Sequence, residues 1–168
     1  MDTDGVMQLA AILILVLLSG FFSSAETSLT TANRVRLKAL ADEGSKRAQT
    51  ALDVLEKYGK MLSAILIGNN IVNIVASSLA TTLALKIGLA VGIATGILTV
   101  VILLFGEIIP KNVAMVYSEK MALFYASIIS GLMKIMTPVI FLIDKLAGAL
   151  MKLLHIDAGK RTAMTETE

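Results

Sequence analysis

The sequence predicts an all-α membrane protein with three transmembrane helices, and three observations support this fold class. Apolar residues make up 56% of the chain and charged residues 17%, whereas soluble domains average about 45–50% and about 25%. Three runs without a charged residue, 5–25, 61–85 and 87–106, are each long enough to cross a bilayer, which takes roughly 20 apolar residues. Basic residues concentrate between the first and second runs.

The composition also excludes several classes of function. The formal charge of +2 is too small to suggest nucleic-acid binding, and the lack of cysteine excludes a disulfide framework or a thiolate metal site. The single histidine, His155, excludes a multi-histidine zinc or iron site within this chain. No triad, phosphate loop or paired-carboxylate pattern indicates an enzyme. A metal bound here would have oxygen ligands, which favours magnesium, calcium or an alkali ion.

The first apolar run predicts a retained transmembrane helix over about 5–28. A secretory signal peptide has a positively charged segment before its apolar core. Here only Asp2 and Asp4 precede the run, and no clear Ala-x-Ala cleavage signal follows it. We therefore expect this helix to stay in the membrane.

The segment 26–60 carries the charges that orient the chain. An excess of lysine and arginine in short loops marks the cytoplasmic side of a membrane. The sequence therefore predicts an extracellular N-terminus, a cytoplasmic C-terminus and a location in the plasma (inner) membrane. The basic residues are Arg34, Arg36, Lys38, Lys46, Arg47, Lys57 and Lys60, against Glu26, Asp42, Glu43, Asp53 and Glu56.

The same segment shows helical periodicity. Apolar residues recur at helical spacing on both sides of Gly44-Ser45, where glycine suits a helix C-terminus and serine a helix N-cap. This pattern predicts two short amphipathic helices at the cytosolic surface. Their apolar positions are Val35, Leu37, Leu40 and Ala41, then Ala48, Leu52 and Leu55.

The second and third runs predict spans over about 61–85 and 87–110. Lys86 is the only charged residue between them, which indicates a tight hairpin. Pro110 lacks an N–H and clashes with the carbonyl four residues earlier. We therefore expect Pro110 to end the third helix and to free the carbonyl of Gly106.

A fourth apolar stretch predicts a juxtamembrane belt helix over about 115–154, which lies in the membrane interface. Six residues fall within about 40° on a helical wheel and form a basic stripe typical of interfacial helices. A fourth transmembrane span is the alternative, although it would place the later lysines outside. The chain thus divides into a transmembrane ion-transport domain, 1–155, and a tail, 156–168. The stripe comprises Lys120, Ser127, Lys134, Pro138, Lys145 and Lys152.

Polar residues interrupt each apolar run near its cytoplasmic end. Ser23 lies in the first run, Asn69 and Asn73 in the second, and Gly106 and Glu107 at the end of the third. By the predicted topology they all fall in the inner half of the membrane, where they can converge. Hydroxyl, amide, carboxylate and backbone carbonyl oxygens form a shell that magnesium accepts. Because the shell has one formal negative charge, it would release a transported ion again.

Two structural alternatives are open for these residues. Serine and asparagine inside membranes often only form hydrogen bonds between helices. Glu107 could pair with Lys111, four residues later on the same helical face, and form only an interfacial ion pair.

A ladder of small residues, Gly88, Gly92 and Gly96, also favours close helix packing within or between subunits.

Three motifs resemble the transmembrane domain of the CorC/CorB and cyclin-M (CNNM) magnesium transporters. They are Ser19–Thr27, Gly68–Asn73 and Gly106–Lys111, in the family's order, and the likeness covers nearly the whole chain. The resemblance implies a homodimer with three spans per subunit, and magnesium export driven by sodium entry. The matching ligand positions are Ser23, Asn69, Gly106 (through its carbonyl) and Glu107, with Asn73, Ser24 and Asn70 as further candidates.

Members of that family continue into cytosolic CBS domains that bind ATP with magnesium. The acidic tail, 156–168, is the kind of sequence that would lead into them, and we expect this chain to be part of a longer protein. Magnesium transport is the leading functional hypothesis. The alternatives are a membrane-embedded magnesium sensor that controls a partner without carrying flux, and an anchor that only dimerises attached domains.

Overall fold

The computed structural model describes residues 3–153, and that part of the chain is helical without a β-strand. Helices α1, α4 and α5 are long and apolar enough to cross a membrane, which confirms the all-α class and the three predicted spans. The helices are α1 (Thr3–Thr31), α2 (Arg34–Asp42), α3 (Lys46–Glu56), α4 (Tyr58–Ile87), α5 (Val91–Val116), α6 (Ser118–Ile135) and α7 (Thr137–Leu153).

The connections between the helices follow the predicted turn chemistry. Gly88 has a φ of 73° and ends α4, so a three-residue turn leads into α5 as the tight hairpin requires. Gly44 has a φ of 95°, and Ser45 caps α3 by accepting a hydrogen bond from the Ala48 amide. Asn33 caps α2 in the same way. Glycine reaches these left-handed conformations without the steric cost of a Cβ atom.

The two short helices are amphipathic, as predicted. Leu37 of α2 and Ala48, Ala51, Val54 and Leu55 of α3 form their buried faces. Val35 is a correction to the predicted apolar face, because it is 79% exposed. It lies two residues from Leu37, which places the two side chains about 200° apart around the helix.

Helix α5 departs from the predicted third span at both ends and in its hydrogen-bond register. It begins at Val91 and continues to Val116 instead of ending at Pro110. Residues Ile102–Ile108 form a π-helix, in which the Ile109 amide donates to the Leu104 carbonyl, five residues earlier. Such π segments occur frequently at functional sites.

The π register bears on which carbonyl Pro110 leaves without a donor. In an α-helix the missing N–H would have bonded to Gly106, four residues earlier. Continuing the register set by Ile109 and Leu104, the acceptor five residues before Pro110 is Phe105. The missing N–H of Pro110 thus falls where the π register, which points to Phe105, gives way to the α register, which points to Gly106, and the predicted free Gly106 carbonyl stays a prediction.

Helix α1 packs against both α4 and α5. An apolar cluster fills the half of these spans nearest the α4–α5 hairpin and comprises Ile12, Val16, Ala76, Leu83 and Leu98. A second polar and glycine-rich region occupies the other half. The packing thus separates an apolar half of the membrane domain from a polar half, in which the predicted ligands lie.

The predicted belt over 115–154 is two helices, α6 and α7, each described by itself. The bend that Pro138 predicts in this stretch is a break at Met136, because Pro138 lies in the first turn of α7, where a proline needs no N–H. In α6 the buried residues are Ala122, Ala126, Ile129 and Met133. Helices α6 and α7 could form a fourth span only if taken together.

Position 154, His155 and the tail 156–168 lie outside the described residues.

A single cysteine at position 134 distinguishes an interfacial α6 from a fourth span. Because the natural chain has no cysteine, Lys134→Cys carries one reactive thiol on an exposed position. We expect a membrane-impermeant maleimide to label it from the cytoplasmic side. Leu89→Cys, in the α4–α5 turn, is the matched control and should be labelled from the outside. Labelling of position 134 from the outside alone would establish a fourth span.

Candidate cation site

Ser19 joins all three spans at one point. Its hydroxyl donates a hydrogen bond to the Asn69 Oδ1 atom of α4 at 3.0 Å, and the residue is 0% exposed. On the other side, a Cβ atom placed on Gly106 of α5 would lie 2.9 Å from the Ser19 Oγ atom. The glycine is needed because any side chain at position 106 would collide with this hydroxyl. The structure therefore brings Asn69 and Gly106 together, with Ser19 between them.

Ser23 lies one helical turn from Ser19, four residues later on the same face of α1. Its side chain is buried. Within the described part of the chain, no other residue forms a hydrogen bond to its hydroxyl. Ser23 thus offers an oxygen that is removed from lipid and available to a ligand.

Glu107 follows Gly106 in the π segment and is half-buried. Among the described residues it has no ion-pair partner, so the alternative pairing with Lys111 does not form. An unpaired carboxylate within a membrane span is costly and marks a functional site. Its backbone is next to Gly106, the residue of α5 that meets Ser19.

Asn73 lies one turn beyond Asn69 on α4, and its Oδ1 atom is buried without a hydrogen-bond partner in the described structure. A buried acceptor without a partner costs about 1–3 kcal/mol. No hydrogen bond joins any two of the five predicted ligand residues in this part of the chain. Because α1 and α4 run in opposite directions, Ser23 and Asn73 lie one helical turn to either side of the Ser19–Asn69 contact.

Two further candidates, Ser24 and Asn70, are placed differently. Ser24 donates to the Gly20 and Phe21 carbonyls of its own helix and contacts the Tyr125 hydroxyl at 2.8 Å. Asn70 is exposed on the side of α4. Ser24 is thus occupied by protein groups, and Asn70 lines an exposed groove of α4 together with Asn73.

Sequence reasoning did not single out Ser19, although it lay within the first motif. Its spacing of four residues from Ser23 on one helical face was the signal that could have identified it. Sequence reasoning also treated Asn69 only as a ligand or as a partner in an unspecified interhelical bond. The structure shows that this asparagine does form such a bond, with Ser19 as its donor.

Two other glycines allow the spans to approach closely around the site. A Cβ atom on Gly68 would lie 2.6 Å from the ring of Phe22. A Cβ atom on Gly20 would lie 3.0 Å from the Phe105 carbonyl oxygen and 3.1 Å from the Pro110 Cγ atom. Small residues let helix backbones pack closely in membranes. These contacts hold α4 and the π segment of α5 against the same stretch of α1.

The chemistry available at this site is that of neutral oxygens and one carboxylate. No group of three or more histidine, cysteine or acidic side chains occurs among the described residues. Sites of this composition suit hard cations such as magnesium, whereas they lack the nitrogen and sulfur ligands that transition metals prefer.

Comparison with known proteins identifies related sequences. The chain matches the cyclin M transmembrane N-terminal domain over residues 10–168. A UPF0053 protein of Haemophilus influenzae is 41% identical over 171 residues, which cover 99% of this chain and 41% of that protein. The UPF0053 inner membrane protein YfjD of Escherichia coli K12 is 37% identical, with 83% and 33% covered. The polyamine export protein of the same strain is 31% identical, with 94% and 38% covered.

This chain spans between 33% and 41% of the length of these relatives. The relatives' names and the three spanning helices agree on a membrane location and indicate a function related to transport. The matched region covers the spans and all five predicted ligand residues. The chain therefore belongs to the cyclin M transmembrane-domain family.

Proposed function

We propose that this chain is the membrane part of a transporter that exports magnesium from the cytoplasm. The observation that carries the proposal is the meeting of Ser19, Asn69 and Gly106 beside the carboxylate of Glu107. Magnesium prefers oxygen ligands in octahedral geometry and usually keeps several waters. Ser23 and Asn73, each one helical turn from this point, are the further candidate ligands. A single carboxylate binds the ion weakly enough for it to leave.

Sodium entry is the proposed driving force. Sodium also takes oxygen ligands. Because the site has one negative charge, it favours binding either sodium or magnesium at one time over binding both together. In this proposal the N-terminus lies outside the cell and the basic helices α2 and α3 lie in the cytoplasm, as the positive-inside trend predicts. The protein then acts in the plasma (inner) membrane, with its ATP-binding CBS domains in the remainder of the full-length chain.

Polyamine export is a second candidate, because a relative that is 31% identical carries that name. A polyamine has several ammonium groups, and each of them needs a polar partner inside a membrane. The proposed site offers one carboxylate, and the described residues contain no cluster of three acidic side chains. This composition favours a compact cation over an extended polycation.

A sensor that binds magnesium without moving it would use the same oxygens, so only a flux measurement separates it from a transporter. We expect liposomes that contain the purified full-length protein to show magnesium flux, which an opposing sodium gradient increases. Spermidine flux without magnesium flux would support polyamine export. Magnesium binding without flux would support the sensor. Equal magnesium flux with and without sodium would exclude sodium coupling.

We also propose that the full-length protein is a homodimer, because α4 has a polar face that residues 3–133 leave exposed. Asn70 and Ser77 are exposed and lie seven residues apart on this helix. A polar group that faces lipid without a hydrogen-bond partner destabilises the protein by about several kcal/mol. A second copy would cover the face symmetrically. The face is lined by Asn70, Asn73, Ile74, Ser77, Ser78 and Thr81.

Disulfide crosslinking tests this interface. We expect Ser77→Cys to form a covalent dimer when membranes are oxidised, because equivalent positions approach each other across a symmetric helix pair. Leu17→Cys is the matched control, since Leu17 is exposed on α1 and should face lipid. Crosslinking at position 17 with none at position 77 would place the interface elsewhere.

A further inference from the structure

The Ser24 side chain connects α1 to α6 through a hydrogen bond. Its Oγ atom lies 2.8 Å from the Tyr125 hydroxyl. The same atom lies 2.7 Å from the Gly20 carbonyl oxygen and 3.0 Å from the Phe21 carbonyl oxygen. Ser24 is buried and Tyr125 is half-buried, so this bond is partly shielded from water and lipid.

Either hydroxyl of this pair can donate the shared proton. A serine hydroxyl has one proton and two acceptor lone pairs. When Ser24 bonds to the Gly20 or Phe21 carbonyl, it can still accept from Tyr125. The Ser24 side chain thus joins α1 and α6 in both cases.

The ring of Tyr125 strengthens the same connection. It packs edge-on against Phe21 with the ring centroids 5.0 Å apart, and Phe21 packs edge-on against Phe22 at 5.4 Å. Edge-on aromatic pairs contribute about 0.5–1.5 kcal/mol beyond the area that they bury. Phe22 in turn covers Gly68, the residue before Asn69. Contacts therefore run continuously from α6 to the site.

A second connection to α6 is weaker. The Arg36 guanidinium pairs with the Glu119 carboxylate at 3.0 Å, but the arginine side chain is 68% exposed. Exposed ion pairs contribute about 0–1 kcal/mol. The partly buried Tyr125–Ser24 bond is thus the stronger of the two contacts that position α6 against the preceding helices.

We propose that Tyr125 is a positioning residue for the cation site, an inference that rests on the proposed magnesium binding. Ser23 and Ser24 are adjacent on one helix, so a rotation of α1 that moved Ser23 would also pull Ser24 away from Tyr125. By holding Ser24, the Tyr125 hydroxyl holds Ser23 and Ser19 in the orientation that faces Asn69 and Gly106. Helix α6 thereby contributes to ion binding without supplying a ligand.

Tyr125→Phe tests this role, because it removes the hydroxyl and keeps the ring that packs on Phe21. The measurement is the melting temperature of the purified full-length protein over a series of Mg²⁺ concentrations. A ligand that binds only the folded state raises this temperature. A lost hydrogen bond is worth about 0.5–1.5 kcal/mol, so we expect the Mg²⁺ concentration at half-maximal stabilisation to rise about two- to tenfold.

Two further variants complete the experiment. Tyr117→Phe removes a hydroxyl from a tyrosine that is 56% exposed and should leave the Mg²⁺ midpoint unchanged. Ser24→Ala should raise the midpoint as Tyr125→Phe does, and the double variant should not raise it further, because both changes break one bond.

Three results would overturn the inference. One is an unchanged midpoint in Tyr125→Phe, with the melting temperature lowered equally at every Mg²⁺ concentration, which indicates a purely structural role. Another is independent, multiplying effects of the two single variants. The third is a wild-type protein that Mg²⁺ does not stabilise. That last result would also refute the proposed cation site, whereas the first two would leave it intact.

Discussion

Replacing Glu107 with glutamine is expected to abolish most of the magnesium response while leaving the ion-free protein at least as stable as the wild type. Glutamine keeps the shape and one oxygen of the side chain but removes the only carboxylate at the site. Interactions with a charged group are worth about 1.5–3 kcal/mol. The Mg²⁺ concentration at half-maximal stabilisation should therefore rise about ten- to a hundredfold.

The expected stability of the ion-free variant follows from burial. Glu107 is half-buried, and no cation pairs with it in the described part of the chain. A charge held in this way inside a membrane span destabilises the protein until an ion neutralises it. Removing the charge should consequently preserve or raise the melting temperature without Mg²⁺, even as the response to Mg²⁺ disappears.

Glu56→Gln is the matched control for this variant. It also removes one negative charge, but Glu56 is exposed at the end of α3, where solvent screens it. We expect its Mg²⁺ midpoint and its transport rate in liposomes to match the wild type. A Glu107→Gln protein that melts earlier without Mg²⁺ and still responds normally to the ion would show that the carboxylate is structural.

The sequence was sufficient to predict the features of the fold that depend on local chemistry. Uncharged runs of about 20 residues can only be stable as helices in a bilayer, because each backbone polar group must be satisfied within its own segment. The N-cap at Ser45 and the helix end at Gly44 likewise follow from single residues, whereas Gly88 ends α4 and does not belong to a Gly88–Gly92–Gly96 ladder on the third span. The spans, the N-cap and the helix end at Gly44 were predicted correctly for that reason.

The hydrogen-bond register of α5 could not be predicted in the same way. Pro110 removes one donor whether the helix is α or π, so the sequence indicates a perturbation without its register. The π segment Ile102–Ile108 coincides with the close contacts of Gly20 with Phe105 and Pro110, which depend on tertiary packing. Pro138 likewise indicates a bend in the fourth apolar stretch, but it does not show that the chain breaks two residues earlier, at Met136.

Only part of the candidate site was visible in the sequence. Glu107 and the asparagines stand out because polar groups are expensive inside apolar runs. Ser19 is less visible, since serine is common in membrane helices and its importance comes from contacts on two sides. Those contacts, with Asn69 and with the backbone at Gly106, are distant in sequence. The structure brings two of the five predicted ligands, Asn69 and Gly106, together through Ser19, and that connecting residue was found only in the structure.

Gly68→Ala is expected to cause the second large effect, on both stability and ion binding. The added Cβ atom would lie 2.6 Å from the Phe22 Cζ atom and 2.8 Å from its Cε1 atom. Phe22 is buried and packs on Phe21, so its ring has little room to move. Overpacking of this kind typically costs about 1–3 kcal/mol. Thermal unfolding of the purified protein measures this loss.

The effect on ion binding follows from the neighbouring residue. Moving the backbone at Gly68 away from Phe22 would also move Asn69 away from its hydrogen bond with Ser19. The Mg²⁺ midpoint should therefore rise along with the loss of stability. Shortening the opposing side chain should relieve the clash, so we expect Gly68→Ala combined with Phe22→Leu to recover part of both losses relative to Gly68→Ala alone.

Gly59→Ala separates this clash from the general effect of alanine in a helix. Gly59 lies in the same helix, and a Cβ atom placed on it would have no neighbouring atom within 4 Å, so the substitution should be neutral or slightly stabilising. Alanine is favoured over glycine by up to about 1 kcal/mol within helices. If Gly68→Ala were as harmless as Gly59→Ala, the close approach of α1 and α4 at Phe22 would not be what holds Asn69 against Ser19.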